Sequence, residues 1–238
     1  MILEPPEASI IIPYFNKWEL THARMMELYK FAPETCEIVL VDDCSTDEEA
    51  ARGVAWWQKN IGNHAIRYYR NKENQGFGGA CNIGTRLAHG RVLIFLSNDV
   101  VVYGDIFSDI IIMLGFDNTM LVAGRVVDFP GGWNEFDVDG KHVVIPYAEG
   151  YLIGCTKTAW KTLGGFDLRY GKYDYEDVDL STTAIEKKFS LVALNSDKVH
   201  HMVGRTIASL GVDRMSFTNV NRLVYFEKWK DKLATLEV

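Results

Sequence analysis

The sequence predicts an α/β protein: a doubly wound, mainly parallel sheet with helices on both faces, plus a small antiparallel portion in the second half. Three observations predict it. Short runs such as Ser9-Ile-Ile-Ile12, Glu37 to Val41 and Arg91 to Leu96 are apolar with no polar alternation, the pattern of strands buried on both faces. Between them lie stretches of about 10 to 15 residues with helical spacing, as in βαβ units. The second half instead carries an alternating segment around Val138-Asp139-Gly140-Lys141, where Asp139-Gly140 signals a hairpin.

Each element follows from local chemistry. Ser9 to Ile12 ends at Pro13. From Lys17 to Phe31, Trp18, Met25 and Leu28 recur at helical spacing, with Asn16 as the expected cap. Glu37 to Val41 is the second strand. Ser45 and Glu48 read as a capping box opening a helix through Trp56 and Trp57, both expected in the core. Ala65 to Tyr69, a small-residue helix from Gly78 to His89, and the strand Arg91 to Leu96 complete the first half. Leu121 to Val127 reads as a strand and Ala159 to Leu163 as a helix stopped by Gly164-Gly165. A helix over Asp177 to Lys188, a late strand over Leu191 to Leu194 and a helix over Asn219 to Leu236 follow. No repeat and no Pro/Ser-rich linker interrupts the chain, so one domain over 1–238 is expected, with a first half over 8–99, a second over 100–206 and a helical extension over 207–238.

Composition narrows the function. The chain has 238 residues, 25 Lys plus Arg against 32 Asp plus Glu, and a formal net charge of −7. That balance argues against a dedicated nucleic-acid binder, which shows a basic stripe, and leaves carboxylates for a cation. Cys36, Cys44, Cys81 and Cys155 are far apart without a C-x-x-C pair, so neither a zinc site nor a disulfide framework is expected. No stretch reaches the roughly 18 apolar residues of a membrane span, and the N-terminus lacks a basic leader. The expectation is a cytoplasmic protein, with peripheral membrane contact left open.

Ligands of open α/β sheets bind outside the carboxyl ends of the strands. Those ends read Pro13-Tyr14-Phe15-Asn16, Asp42-Asp43-Cys44-Ser45, Asn71-Lys72-Glu73-Asn74-Gln75-Gly76 and Ser97-Asn98-Asp99, all polar and two acidic. The segment Gly76-Phe-Gly-Gly-Ala-Cys-Asn-Ile-Gly84 is neither G-x-G-x-x-G nor a Walker A loop, which removes dinucleotide and P-loop readings. It serves either close packing of a helix or approach to a nucleotide. Trp133, after Pro130-Gly-Gly, is either a core residue or a ring stacked on a sugar.

The ordered series SIIIPYFN, VDDCSTDE, NQGFGGACNIG, LSNDVVV, LGGFD, YEDVDLS and a downstream His resembles glycosyltransferase family 2 over about residues 8 to 206. The resemblance implies a GT-A fold and transfer, usually with inversion, from a nucleotide-diphosphate sugar to a hydroxyl of a glycan, lipid-linked sugar, protein or other acceptor. It places the nucleoside on Pro13, Tyr14, Asp42, Asp43, Asn74, Gly76 and Asn82, with Asn98 inside the S-N-D segment that stands for D-x-D. Because Ser97 replaces the first Asp, Asp99 is the strong metal ligand, with His201, better aligned than His200, for Mn²⁺ or Mg²⁺. Glu176-Asp177 matches the family's acidic pair, with Asp177 as general base. A carboxylate at Asp43 suits the N3–H of uracil or thymine; guanine also offers N–H donors, so UDP and dTDP are preferences among donors. Two rivals are a sugar-nucleotide nucleotidyltransferase, which lacks its basic loop after the first strand here, and a non-catalytic sugar-nucleotide or glycan binder, favoured only by Ser97.

Overall fold

The computed structural model describes residues 5–46, 49–60, 62, 64–130, 134–202 and 213–236. The first half runs β1 (Ala8–Tyr14), α1 (Trp18–Phe31), β2 (Cys36–Asp42), α2 (Glu49–Asn60), β3 (Ile66–Arg70), α3 (Gly76–Leu87) and β4 (Val92–Leu96). The second runs β5 (Val100–Val102), α4 (Phe107–Leu114), β6 (Met120–Ala123), β7 (Val126–Val127), β8 (Glu135–Val138), β9 (Lys141–Val144), β10 (Tyr147–Ala148), β11 (Leu152–Thr156), α5 (Lys157–Leu163), a 3₁₀ turn (Leu168–Tyr170), α6 (Glu176–Glu186), β12 (Ser190–Ala193), β13 (Val199–His201) and α7 (Arg214–Leu233).

The central sheet has the order β12-β6-β11-β4-β1-β2-β3. All neighbours are parallel except β11, which is antiparallel to β4 and to β6. Alternation along each strand makes two cores. Ile10, Ile12, Ile38, Leu40, Ile94 and Leu96 face α1, α2 and α4, while Ile11, Val39, Val41, Leu93 and Phe95 face α3 and α5. A third apolar cluster joins Phe136, Tyr175 and Val178 to Tyr225, Trp229 and Leu233 of α7.

Several sequence expectations are corrected. Leu152–Thr156 reads apolar but was not expected as a strand, and it is the antiparallel strand inside the sheet, between β6 and β4. Leu121 to Val127 splits at Gly124-Arg125 into β6 and β7, which belong to different sheets. Asn16 does not cap α1. It and Lys17 are left-handed (φ 54° and 52°), and its Oδ1 accepts the Thr46 N–H at 2.7 Å. Ser45 Oγ accepts the Asn16 N–H at 2.8 Å; the capping box itself falls on Glu48, which lies outside the described residues. The loops after β1 and β2 are thereby bonded to one another beside the sheet edge. Trp57 is buried as expected, but Trp56 is 53% exposed. Helix α7 begins five residues before the expected Asn219. The Asp139-Gly140 turn is left-handed at both residues and joins β8 to β9, as the hairpin signal predicted.

The glycines of α3 serve close approach to the sheet. A Cβ on Gly84 would lie 2.4 Å from Ile11 Cγ2. Alanine normally improves an exposed helix position by about 1 kcal/mol over glycine. Gly84→Ala is expected to destabilise instead, by about 1–3 kcal/mol of overpacking, measured as a lower urea midpoint at unchanged slope; an unchanged or higher midpoint would contradict this packing.

Candidate active site

The carboxyl ends of β1, β2 and β4 meet the N-termini of α3 and α6 around one cleft of about 420 Å³. Of the residues expected in the site, Pro13, Tyr14, Asp43, Asn74, Gly76, Asn98, Asp99, Glu176, Asp177 and His201 line it. Asp42 and Asn82 do not, and Trp133 lies outside the described residues.

The reason for Asp42 is strand alternation. Adjacent residues at a strand end point to opposite sides, so Asp42 turns inward. Its Oδ1 accepts the Ser45 N–H at 2.7 Å and its Oδ2 accepts the Tyr68 hydroxyl at 3.2 Å. Asn82, on the buried side of α3, donates to Phe166 O at 2.8 Å and accepts from Phe166 N at 3.0 Å, clamping the Gly164-Gly165 loop onto the helix.

Asp43 faces the cleft yet is itself anchored. It accepts Asn71 Nδ2 (2.7 Å) and the backbone N–H groups of Gln75 (2.8 Å) and Gly76 (2.8 Å). It thus satisfies donors at the start of α3 that no helical carbonyl can reach. Burial raises its pKa, and these bonds offset only part of that rise. Gly76 has φ 73°, and a Cβ there would lie 2.5 Å from Lys172 Cα, so only glycine lets the 171–175 loop cross this helix end.

On the opposite wall, Ser97 Oγ donates to Asp99 Oδ1 at 2.6 Å, and His201 Nε2 stands 3.5 Å from the same oxygen. Strand β13 brings His201 there by pairing with β5, and the Tyr151 ring stacks on the imidazole at 4.5 Å. Burial pushes the Asp99 carboxyl up, but the His201 and Ser97 bonds outweigh it and hold the pKa below the ordinary value. The residue that replaces the first Asp therefore orients the second. An ionised carboxylate, an imidazole and a hydroxyl suit a divalent cation of the Mn²⁺ or Mg²⁺ kind. No group of three or more His, Cys, Asp or Glu forms among the described residues. Asp99 and His201 would accordingly leave coordination positions for phosphate and water.

Glu176 and Asp177 open α6. Asp177 Oδ2 accepts the Gly150 N–H at 2.9 Å and its Oδ1 accepts its neighbour Val178 N–H at 2.8 Å. Burial, together with the negative charge of Asp177, raises the Glu176 pKa. Burial, together with Asp174, raises that of Asp177 despite these bonds. Dipole stabilisation at the start of α6 therefore does not keep Asp177 at an ordinary carboxylate pKa. Asp179, two residues on, turns away from the cleft and accepts Tyr170 Oη (2.9 Å), Trp229 Nε1 (2.7 Å) and Lys228 Nζ (2.8 Å). Lys228 is thus an ion-pair partner of both Asp179 and Asp167.

The sequence reading missed Tyr147, Glu149 and Tyr151 from β10 and the turn after it, Lys172 and Asp174 from the loop before α6, and Arg214 from α7. Polar residues between two acidic motifs signal Lys172 and Asp174. Nothing local marks Arg214, which reaches the cleft only because α7 folds back over α6.

The family model described as Glycosyl transferase family 2 matches residues 9–176. This chain belongs to glycosyl transferase family 2. An uncharacterized glycosyltransferase of Haemophilus influenzae is 29% identical over 91 residues, 38% of this chain and 29% of that protein. One of Rickettsia felis is 30% identical over 109 residues, 44% of this chain and 16% of that one. The chain thus spans less than a third of the length of these curated relatives. Among solved structures it is similar to the mannosyltransferase PcManGT from Pyrobaculum calidifontis in complex with GDP-Man and Mn²⁺, with a TM-score of 0.68, 18% identity, and coverage of 95% of this chain and 64% of that one. It is also similar to GalNAc-T7 with UDP, GalNAc and Mn²⁺, with a TM-score of 0.66, 20% identity, and coverage of 84% and 44%. These likenesses establish the GT-A fold. The family match ends at Glu176, so in this member Asp177, His201 and α7 all follow the matched segment. No helix among the described residues is long and apolar enough to cross a membrane.

The raised pKa of Glu176 makes a stability prediction. An acid whose pKa rises on folding favours the fold in its protonated form; that contribution is complete below the unfolded pKa and is lost as pH rises through the folded one. Glu176→Gln is expected to melt several degrees above the parent protein at about pH 9, with the difference shrinking towards zero by about pH 4. A thermal melt series across that range checks it, and a constant difference would contradict a buried, raised carboxyl.

Proposed function

We propose that this protein transfers a sugar from a nucleotide-diphosphate sugar to an acceptor hydroxyl, with inversion, and that Asp177 is the general base. The observation that carries this reading is the shared cleft. An ion-binding pair (Asp99, His201) and a desolvated acidic pair (Glu176, Asp177) line the same cleft as the strand ends of the first half, and Gly150-Tyr151 links them, Gly150 N–H bonding Asp177 and the Tyr151 ring stacking on His201. The cleft volume falls in the range of small-molecule sites, roughly 300–1,000 Å³.

The first half, 8–99, is the nucleotide side. Pro13 and Tyr14 flank the base, Asn74 and Gly76 border the nucleoside, and Asn98 adjoins the diphosphate. Asp43 retains one unused lone-pair direction beyond its three bonds to the protein, enough for a single N–H of a uracil, thymine or guanine. Neighbours of the same fold are complexed with GDP-Man and with UDP, so the base is not narrowed beyond the preference for UDP or dTDP.

Asp99 and His201 would hold a divalent cation, which supplies positive charge where the diphosphate leaving group gains negative charge. Charge balance supports this: among the described residues, the cleft wall has six carboxylates against the side-chain cations Lys172 and Arg214. An anionic donor entering alone meets net repulsion.

Asp177 takes the proton of the acceptor hydroxyl as that oxygen attacks the anomeric carbon. Its raised pKa makes it a better base than an ordinary Asp while leaving it ionised on the alkaline side. Gly150 N–H fixes Oδ2, so the carboxylate presents a defined edge to the acceptor. Tyr147 gives that side a flat apolar face of the kind that stacks on sugar rings.

The test is transfer from a panel of UDP-, GDP- and dTDP-sugars with Mn²⁺, followed by proton NMR of the product anomer. Inversion is expected. Asp177→Asn should lower kcat by about 10²–10⁴-fold with little change in donor KM, and the acidic limb of the kcat profile should lie above the ordinary Asp range. A retained anomer, or full activity in Asp177→Asn, would contradict the mechanism.

A further inference from the structure

Helix α7 lies wholly beyond the family match, yet its polar residues converge on the segment that launches α6. That segment is unusual. Asp174 and Tyr175 are consecutive non-glycine residues at φ 59° and 75°, a region that L side chains seldom occupy. Residues held in such a conformation persist only where the surroundings over-determine it. Here the surroundings are α7.

Asn221 is 6% exposed and points its amide into the turn. Its Nδ2 donates to Tyr170 O at 2.7 Å and Asp174 O at 3.0 Å, and also contacts Tyr173 O. One side-chain amide therefore gathers three carbonyls of the loop. One turn earlier on α7, Thr218 Oγ1 donates to Asp174 Oδ2 at 2.5 Å, and Arg214 Nε lies 3.0 Å from the same carboxylate. The carbonyls and the side chain of Asp174 are thus fixed from one helix, and Asp177 begins three residues later. The Asp177 carboxylate meets Gly150 N–H at 2.9 Å, so a small rotation of the first turn of α6 moves it off that bond.

We propose that Asn221 is a positioning residue for Asp177, holding the left-handed Asp174-Tyr175 turn so that the carboxylate faces the acceptor. It touches neither substrate nor reacting atoms and acts only through the start of α6. The proposal rests on the reading of Asp177 as base. It differs from a plain stabilising role, in which α7 adds buried apolar area through Tyr225 and Trp229 and the site is indifferent to the polar residues.

Two measurements on the whole chain test it. Hydrogen exchange of wild type and Asn221→Ala should show amides of residues 174–179 exchanging at least about tenfold faster in the variant, with β1, β2 and β4 unchanged. Unchanged exchange at 174–179 overturns the proposal. With the nucleotide sugar turned over in the donor panel, Asn221→Ala should lower kcat by about 10- to 100-fold, while the Kd for UDP with Mn²⁺ stays within about twofold. In the Asp177→Asn background the same change should cost nothing further, because the group it positions is gone. Losses that multiply, or a Kd that rises in step with the fall in kcat, overturn it. Thr218→Val removes one bond to Asp174 at nearly constant shape and should show the same pattern more weakly, which keeps the test open if Asn221→Ala folds poorly. If Asp177→Asn alone leaves kcat unchanged, the general-base reading fails by itself, and faster exchange at 174–179 still reports the anchoring.

Discussion

Like charge gathers where the sheet ends: among the described residues, six carboxylates share the wall of one cleft with two side-chain cations. Such crowding is tolerated only when each carboxylate has donors, is protonated, or meets a cation. Asp43 is paid in backbone N–H groups at the start of α3, Asp174 in contacts from α7, and Asp99 in the Ser97 hydroxyl and His201. Burial and neighbouring carboxylates raise the pKa values of Glu176 and Asp177, although Asp177 accepts the Gly150 and Val178 N–H groups. The same burial that costs stability makes Asp177 suited to removing a proton.

The backbone follows from that arrangement. Asn16, Lys17, Cys44, Asp174 and Tyr175 are left-handed without being glycine, and all lie in loops at the carboxyl edge of the sheet or at the start of α6. Each such residue costs roughly 1–2 kcal/mol. The bonds from Asn16 to Thr46, from Ser45 to Asn16 and from α7 to Asp174 hold three of these turns. The regular core supplies the surplus. Strands β1, β2 and β4 are buried along their whole length, and α3 lies close enough on β1 that Gly84 has no room for a methyl group.

Much of this was legible in the sequence because burial on both faces leaves a plain mark. The strands of the first half, the α3 glycines and the acidic strand ends could be read directly, and their order carried the family resemblance. What failed was information that depends on direction or on distant partners. Nothing in Asp42-Asp43 says which of two adjacent acids turns inward. Asn82 looks like a nucleoside ligand until Phe166 is seen to occupy both ends of its amide. Asn16 looks like a cap for its own helix, but its side chain serves the loop after β2. Strand β11 is a short apolar run between a glycine-containing turn and the start of α5, indistinguishable by periodicity from a buried helix segment. Arg214, Thr218 and Asn221 could not be found from local pattern, because their partners lie 40 or more residues away.

The central claim is that a nucleoside diphosphate enters this acidic cleft together with a divalent cation held by Asp99 and His201. Calorimetric titration of UDP and of GDP, each with Mn²⁺ and each with EDTA, tests it most directly. Binding with Mn²⁺ should weaken by at least about 100-fold in EDTA, and Asp99→Asn in Mn²⁺ should reproduce most of that loss. Equal affinity in EDTA, or an Asp99→Asn variant that binds as tightly as the parent, would contradict the account.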